Sequence, residues 1–192
     1  QKAEQNVDKS TMHPFIQQLI DLYDAEGHHT YGEGINQIEH AVQCAELAKR
    51  QGESAELITA ALLHDVGHLM ATTDIAFGNY KHDSIGAEYL APHFPAAVTE
   101  PIRLHAEAKR YLCAVEKGYL EDLSEASLDS LHHQGGLMNE EEQAEFLKEA
   151  FAEDAIKLRR WDDEGKDEEL TNKQIAHYLN AMNAALTSPA TA

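Results

Sequence analysis

The sequence predicts an all-α protein, and three observations support this fold class. Alanine, leucine, glutamate and glutamine are abundant, whereas the 192 residues include only 11 glycines and 5 prolines. Apolar residues recur at helical spacing and do not alternate as in strands. With 43% hydrophobic residues, a chain of this length can bury one substantial core. Residues 1–192 are therefore expected to form one domain, in which residues 1–12 are flexible.

The predicted helices follow the apolar periodicity and the residues that interrupt it. The first helix is expected to begin at Pro14, because proline is favoured in the first helical turn. Later helices are predicted over residues 35–50, 53–63, 82–90, 99–108, 121–130, 139–160 and 172–186. Residues 26–34 contain three glycines and are expected to form an ordered loop.

The formal net charge of -19 limits the possible partners. Acidic residues are concentrated in the second half, for example at 139–142 and 162–164, and they are interpreted as solvated helix faces. Such a surface repels nucleic acid and anionic membranes, so neither is an expected partner. An anionic small molecule would need a local basic pocket.

Cysteine usage and hydropathy predict the compartment. Cys44 and Cys113 each lie in an apolar helical pattern, which is typical of small buried residues in a reducing compartment. No apolar run approaches the length of a membrane span, and no signal-peptide pattern precedes the first helix. We expect a cytoplasmic protein.

A histidine and an aspartate end the most apolar helix of the sequence. His64 and Asp65 follow the apolar run 58–63 and precede Val66, Gly67 and His68. An unpaired carboxylate at the end of a buried helix is costly, and a metal ion would pair it directly. Gly67 lets the backbone approach such a site closely. Seven other histidines are expected to have ordinary packing or surface roles: His13, His28, His29, His93, His132, His133 and His177.

The string His-Asp-Val-Gly-His resembles the signature of the HD superfamily of metal-dependent enzymes. The resemblance implies His40, on the preceding helix, as a further ligand. Imidazole and carboxylate ligands suit iron, manganese or zinc better than magnesium. The distant aspartate of the family is assigned to Asp162, with Asp163 as the adjacent alternative, because helical phase can turn only one of them inward. His82 and His105 would serve a second metal ion, with Asp65 as the bridging carboxylate.

Further segments narrow the resemblance to one branch. Residues 32–40, 64–68, 105–113, 123–127, 134–136 and 159–162 resemble the small mixed-valent di-iron oxygenases of the HD superfamily. Those enzymes cleave the carbon–phosphorus bond of 1-hydroxy-2-aminoethylphosphonate or its trimethylammonio analogue. The similarity extends from about residue 31 to residue 166.

This resemblance implies an oxidative reaction at two iron ions, Fe(II) and Fe(III), with O2 as co-substrate. The products would be phosphate and either glycine or glycine betaine, and an upstream hydroxylase would supply the substrate. The implied metal ligands are His40, His64, Asp65, His82, His105 and Asp162.

The resemblance also implies a phosphonate pocket of Lys109, Ser127, Gln134 and Arg159. Lys109 lies four residues after His105, so both side chains project from one helix face. Two cations beside the metals would suit a phosphonate dianion in an acidic protein. Alternatively, Lys109 and Arg159 pair with acidic residues at the surface.

The loop before His40 departs from the family pattern. Related enzymes carry a tyrosine three residues before the loop glutamate, whereas here Thr30 has that spacing from Glu33 and Tyr31 is two residues before it. Glu33 would attract the substrate amine, and Tyr31 would offer a cation–π face. This loop favours the trimethylammonio substrate. Together with Asp65, these two residues and His68 are the catalytic candidates.

Three other functions remain open from the sequence. A phosphohydrolase of the HD superfamily would use the same ligands with a metal-activated water as nucleophile. A non-catalytic ligand sensor would have lost metal ligands, and none is missing here. A ring-opening polyol oxygenase shares the di-iron site but has a longer chain. Dependence of phosphate release on oxygen separates the oxygenase from the hydrolase.

Overall fold

The computed structural model describes residues 12–29, 34–70, 82–167 and 173–187, and these residues form α-helices, two 3-10 turns and no strand. The all-α prediction is confirmed. The 3-10 turns are Leu120–Asp122 and Ile175–Tyr178. The helices are α1 (Pro14–Glu26), α2 (Gln37–Arg50), α3 (Ala55–Leu63), α4 (Val66–Leu69), α5 (His82–Leu90), α6 (Ala96–Val115), α7 (Glu125–Gln134), α8 (Glu140–Leu147), α9 (Ala152–Glu164) and α10 (Leu179–Ala185).

Local capping explains where several helices begin. Pro14 occupies the first turn of α1, as predicted. The Asn36 side chain accepts from the Glu39 N–H at the start of α2, and the Glu39 carboxylate accepts from the Asn36 N–H. The hydroxyls of Ser54 and Ser124 cap α3 and α7. These contacts satisfy backbone donors that have no partner within a helix.

Some boundaries differ from those predicted. Helix α6 is about twice the predicted length and includes Pro101. The helix predicted over residues 139–160 is wrong as a single unit, because α8 ends at Leu147 and α9 begins at Ala152. The break lets Phe146 and Ala152 both join a small apolar cluster with Leu104 and Ala108 of α6. Residues 121–130 and 172–186 likewise divide into a 3-10 turn and a helix.

The main core places α3 in the interior. Helix α3 packs against α2, α6 and α10, and α6 also packs along α9. Leu62 and Leu63 of α3 are fully buried, as are Leu158 of α9 and Ile102 of α6. Because α3 is enclosed by these helices, the two residues that follow it, 64 and 65, are delivered to the centre of the bundle.

The first and last described segments both reach this core. Residues 1–11 lie outside the described part of the chain, but Met12 packs against the core, and α10 contributes Met182 and Ala185. Cys44 and Cys113 are buried free thiols. Among the described helices, none combines the length and the apolarity that crossing a membrane would require. That residues 1–192 form one domain stays a prediction.

Candidate active site

Four side chains from three parts of the chain meet around one point. Nε2 of His40 lies 3.2 Å from Nε2 of His64 and 2.8 Å from Oδ1 of Asp162. Oδ2 of Asp65 lies 3.5 Å from His40 and 3.3 Å from His64, and the His64–Asp162 distance is 3.4 Å. Ligands held at about 2.0–2.2 Å from one metal ion are themselves about 2.8–3.6 Å apart. The four atoms therefore have the spacing of a metal coordination shell.

The backbone fixes the tautomer of each ligand histidine. Nδ1 of His40 donates to the carbonyl oxygen of Gly165 at 2.7 Å, and Nδ1 of His64 donates to Ala61 at 2.7 Å. Nδ1 of His105 makes the same contact with Ile102 at 2.6 Å. With Nδ1 occupied, each ring presents Nε2 to the cluster, as metal-ligating histidines commonly do.

The protonation states of the cluster indicate a site prepared for a cation. Burial opposes ionisation of Asp162, but Arg159 and the two histidines hold its pKa well below the usual value. Burial likewise opposes ionisation of Asp65, whose pKa His64 nevertheless holds well below its usual value. Against burial, Asp65 and Asp162 raise the pKa of His64 well above normal. The two carboxylates thus favour positive charge around them, which Arg159 supplies in part and which a bound cation would supply further.

Two further histidines lie on the other side of Asp65. Its Oδ1 atom is 3.7 Å from Nε2 of His68 and 4.0 Å from Nε2 of His105. Burial lowers the pKa of His105, which favours the neutral ring that binds metals. The two oxygens of Asp65 thus face different histidines, and the predicted role of this carboxylate as a bridge between two ions stays a prediction. His82 begins α5, but its side chain is not part of what the structure describes.

The four residues of this shell fit a first-row transition-metal ion. The shell offers imidazole nitrogens and carboxylate oxygens, a donor set that suits iron, manganese and zinc. His40, His64, Asp65 and Asp162 would hold one ion, and Asp65 with His105 would hold part of a second.

Lys109 brings a buried amine close to the cluster. On α6 it lies one turn after His105, and its Nζ atom donates to the carbonyl oxygen of Ser127 at 3.0 Å and to Oγ of Ser130 at 2.7 Å. Burial, followed by the nearby charge of Arg159, lowers the pKa of Lys109 to about 8. The alternative in which Lys109 pairs with acids at the surface is wrong, because the residue is almost fully buried.

Arg159 connects the basic pocket with the metal cluster. Its Nη1 atom lies 2.6 Å from Oδ2 of Asp162, and its Nε atom donates to Oδ1 of Asp163 at 3.1 Å. These carboxylates raise the pKa of Arg159 well above its usual range despite burial. Asp162 is thus the inward aspartate, as expected from helical phase, whereas Asp163 holds the guanidinium. Arg159 does pair with acidic residues, but in the interior.

The other two residues of the predicted pocket, Ser127 and Gln134, both lie on α7. Ser127 is buried, and its hydroxyl lies 3.3 Å from Nζ of Lys166. Oε1 of Gln134 is buried and accepts no hydrogen bond within the described parts of the chain. A bound ligand with a hydroxyl group would satisfy that acceptor.

Sequence reasoning missed several residues of this site. Asp83 is buried, with Oδ1 3.4 Å from Nε2 of His105, and its position directly after His82 was the available signal. Tyr119 donates from its hydroxyl to Asp163, which also binds Arg159. Tyr119 and Asp163 line an open groove of about 250 Å³ beside the site. No sequence pattern predicted a role for Lys166, because this residue belongs to none of the motifs.

The other predicted residues lie either away from this site or outside the part of the chain that the structure describes. Tyr31 and Glu33 are not among the described residues, so the catalytic and amine-binding roles predicted for them stay predictions. His132 and His133 are exposed. His93 stacks on Phe15. These positions agree with the ordinary roles expected for the histidines outside the cluster.

The fold and this shell define a helical metal-dependent domain, and comparison with known proteins identifies its family. Residues 38–182 match the HD domain family.

The chain is 44% identical, over 89% of its length and 88% of the relative, to a hydroxymethylphosphonate dioxygenase of Gimesia maris. It is 36% identical, over 92% of both chains, to a [1-hydroxy-2-(trimethylamino)ethyl]phosphonate dioxygenase (glycine-betaine-forming) of Leisingera caerulea. An uncharacterized protein of Acanthamoeba polyphaga mimivirus is 34% identical over 87% of this chain and 80% of the relative. The chain belongs to the HD-domain family and, within it, to the phosphonate oxygenases.

Proposed function

We propose that the protein is an iron-dependent dioxygenase that cleaves the carbon–phosphorus bond of a 1-hydroxyalkylphosphonate. The reaction would convert R–CH(OH)–PO3²⁻ and O2 into R–COO⁻, HPO4²⁻ and one proton. The carbon–phosphorus bond breaks, the carbon is oxidised to a carboxylate, and both atoms of dioxygen are reduced and retained in the products. No further reductant is needed for this balance.

The buried ion pair of Arg159 and Asp162 carries the proposal. It places a fixed cation against a carboxylate whose other oxygen belongs to the metal cluster. A phosphonate bound by Arg159 would therefore lie next to the metals, with its hydroxylated carbon close to them. A guanidinium binds phosphonate oxygens through paired hydrogen bonds, which fixes the orientation of the group.

The protein residues would bind and orient the substrate. Lys109 and Arg159 would attract the dianion, the Ser127 hydroxyl would donate to a phosphonate oxygen, and the buried Oε1 atom of Gln134 would accept from a substrate hydroxyl. Two iron ions held by the histidines and aspartates would supply the activation of dioxygen. Fixing the reactants in one geometry is a large part of what an enzyme of this kind contributes.

The three candidate substrates differ in the group that is attached to the hydroxylated carbon. The loop residues Tyr31 and Glu33 favoured a trimethylammonio or amino group, which would give glycine betaine or glycine. The 44% identical relative is instead named a hydroxymethylphosphonate dioxygenase. Hydroxymethylphosphonate has no such group, and its cleavage would give formate. We favour hydroxymethylphosphonate because the relative named for it is 44% identical, against 36% for the relative named for the trimethylamino substrate. The pocket residues proposed above would contact only the part that all three substrates share, so they do not discriminate between them.

The experiment compares the three hydroxyphosphonates under air with the iron-loaded protein. We expect phosphate release with one O2 consumed per phosphate, fastest with hydroxymethylphosphonate. Loss of release without oxygen, and in protein loaded with magnesium, supports the oxygenase. Equal release without oxygen would instead identify a metal-dependent phosphohydrolase. An enzyme that installs a hydroxyl next to phosphorus would supply the substrate, and we place both reactions in the cytoplasm.

A further inference from the structure

The segment that follows α9 introduces a lysine that no motif predicts. Nζ of Lys166 lies 3.3 Å from Oγ of Ser127 and 3.5 Å from Oγ of Ser124. Ser124 caps α7, and Ser127 is the buried hydroxyl of the anion pocket. The amine therefore reaches the start of α7 on the side of Ser127.

The backbone on both sides of Lys166 is fixed to α2. The carbonyl oxygen of Gly165 accepts from Nδ1 of His40 at 2.7 Å. Asp167 makes two hydrogen bonds with the side chain of Gln43, one from its N–H at 2.8 Å and one to its carbonyl oxygen at 2.7 Å. Because both neighbours are held, the backbone position from which the Lys166 side chain extends is set by the same helix that carries His40.

Two lysines hold the two oxygens of Ser127. Lys109 donates to the carbonyl oxygen of this residue, and Lys166 contacts its hydroxyl. Arg159 of the same pocket pairs with Asp162 and Asp163, so part of its charge is already compensated. A further cation beside Lys109 and Arg159 would strengthen binding of a dianion at Ser127, and the half-buried Lys166 lies in contact with the hydroxyl of that residue.

We propose that Lys166 is a further substrate-binding residue, which pairs with an oxygen of the phosphonate group together with the hydroxyl of Ser127. This inference rests on the proposed function, because it assigns a third cation to the same anion pocket. Lys166 would act on affinity, whereas the metal ions do not depend on its charge.

Binding of inorganic phosphate to the iron-loaded protein, measured by calorimetry at low and high salt, tests the inference. Lys166→Met keeps the length of the side chain and removes its charge, so the dissociation constant for phosphate should rise about tenfold at low salt. The difference should shrink at high salt. Lys166→Arg should bind phosphate nearly as well as the unchanged protein. Lys148→Met, at an exposed lysine paired with Glu145, is the matched control and should have no effect.

Two further readouts separate the possible outcomes. Iron content and melting temperature should be unchanged in Lys166→Met, and with a hydroxyphosphonate substrate KM should rise while kcat stays similar. A lower melting temperature with unchanged phosphate affinity would show that Lys166 only supports α7, and would overturn the inference. Arg159→Met distinguishes this failure from a failure of the proposed function. If Arg159→Met weakens phosphate binding and Lys166→Met does not, only the role of Lys166 is rejected, whereas no effect in either variant rejects the anion pocket itself.

Discussion

Arg159 and Asp162 form a buried ion pair in which Nη1 lies 2.6 Å from Oδ2. The other oxygen of the same carboxylate lies 2.8 Å from Nε2 of His40. One side chain thus belongs both to the basic pocket and to the metal shell. A group bound by Arg159 and an ion bound by Asp162 would therefore be held at a fixed separation by helix α9.

The two metal positions should be separable by substitution. Asp65→Ala removes the carboxylate that faces both positions, so we expect loss of turnover and loss of most bound iron. His105→Ala removes a ligand of the second position only, so turnover should be lost while iron falls to roughly half. Elemental analysis measures the iron per chain. His132→Ala, at an exposed histidine, is the control, and full iron content in His105→Ala would contradict the second position.

Removing either cation of the pocket should mainly weaken substrate binding. In Arg159→Met or Lys109→Met a charged hydrogen bond worth about 1.5–3 kcal/mol is lost, which raises KM roughly 10- to 150-fold. Steady-state kinetics with the best hydroxyphosphonate measures the change. Arg103→Met is the control, because Arg103 pairs with Glu100 away from the cluster. An unchanged KM in both pocket variants would rule out the predicted anion pocket.

The pH dependence of kcat/KM should report the ionisation of Lys109. Its pKa is lowered to about 8, mainly by burial, so the free enzyme loses this cation as the pH rises through that value. Affinity for a dianion should therefore fall on the alkaline side, and kcat/KM should decline with an apparent pKa near 8. Lys109→Arg should move the decline to higher pH, because a guanidinium stays protonated. A decline that is identical in this variant would assign it to another group.

Asp163 should position Arg159 without binding metal. In Asp163→Asn the guanidinium loses an ionic partner, and we expect KM to rise less than in Arg159→Met, with iron content unchanged. Because the two residues act through one contact, the double variant should be no worse than Arg159→Met alone. Additive effects on KM would show that Asp163 acts independently. Tyr119→Phe, which removes the hydroxyl that donates to Asp163, should have a smaller effect of the same kind.

Gly165 should tolerate no side chain. A Cβ atom there would lie 2.6 Å from Sγ of Cys44 and 3.0 Å from the carbonyl oxygen of Trp161. Gly165→Ala should therefore destabilise the protein by about 1–3 kcal/mol and disturb the hydrogen bond from His40. Cys44→Ala in the same chain should restore part of the loss, since the closest contact is with that side chain. Thermal unfolding measures both variants, and an unchanged melting temperature in Gly165→Ala would refute this packing.

Local patterns in the sequence sufficed for much of the fold. Pro14 predicted the start of α1, and the apolar run before His64 predicted a buried helix that delivers this residue to the interior. The resemblance implied Asp162 as a ligand, and helical phase separated it from Asp163. These inferences depend on contacts between residues close in sequence, or on one helix face, where spacing alone fixes direction.

Only the tertiary structure decided which distant residues support the site. Asp163 holds Arg159, the carbonyl oxygen of Gly165 holds His40, and Lys166 reaches Ser127 across 39 positions of the chain. The break between α8 and α9 likewise depends on packing against α6. The sequence contains no periodic pattern that indicates such contacts. They depend on how the helices pack against each other and not on the spacing of residues along a single helix. Helical periodicity thus predicted the fold class, and the resemblance supplied the candidate metal ligands. The packing of α9 on α2, and the contact of the following segment with α7, determine which polar groups lie beside those candidates.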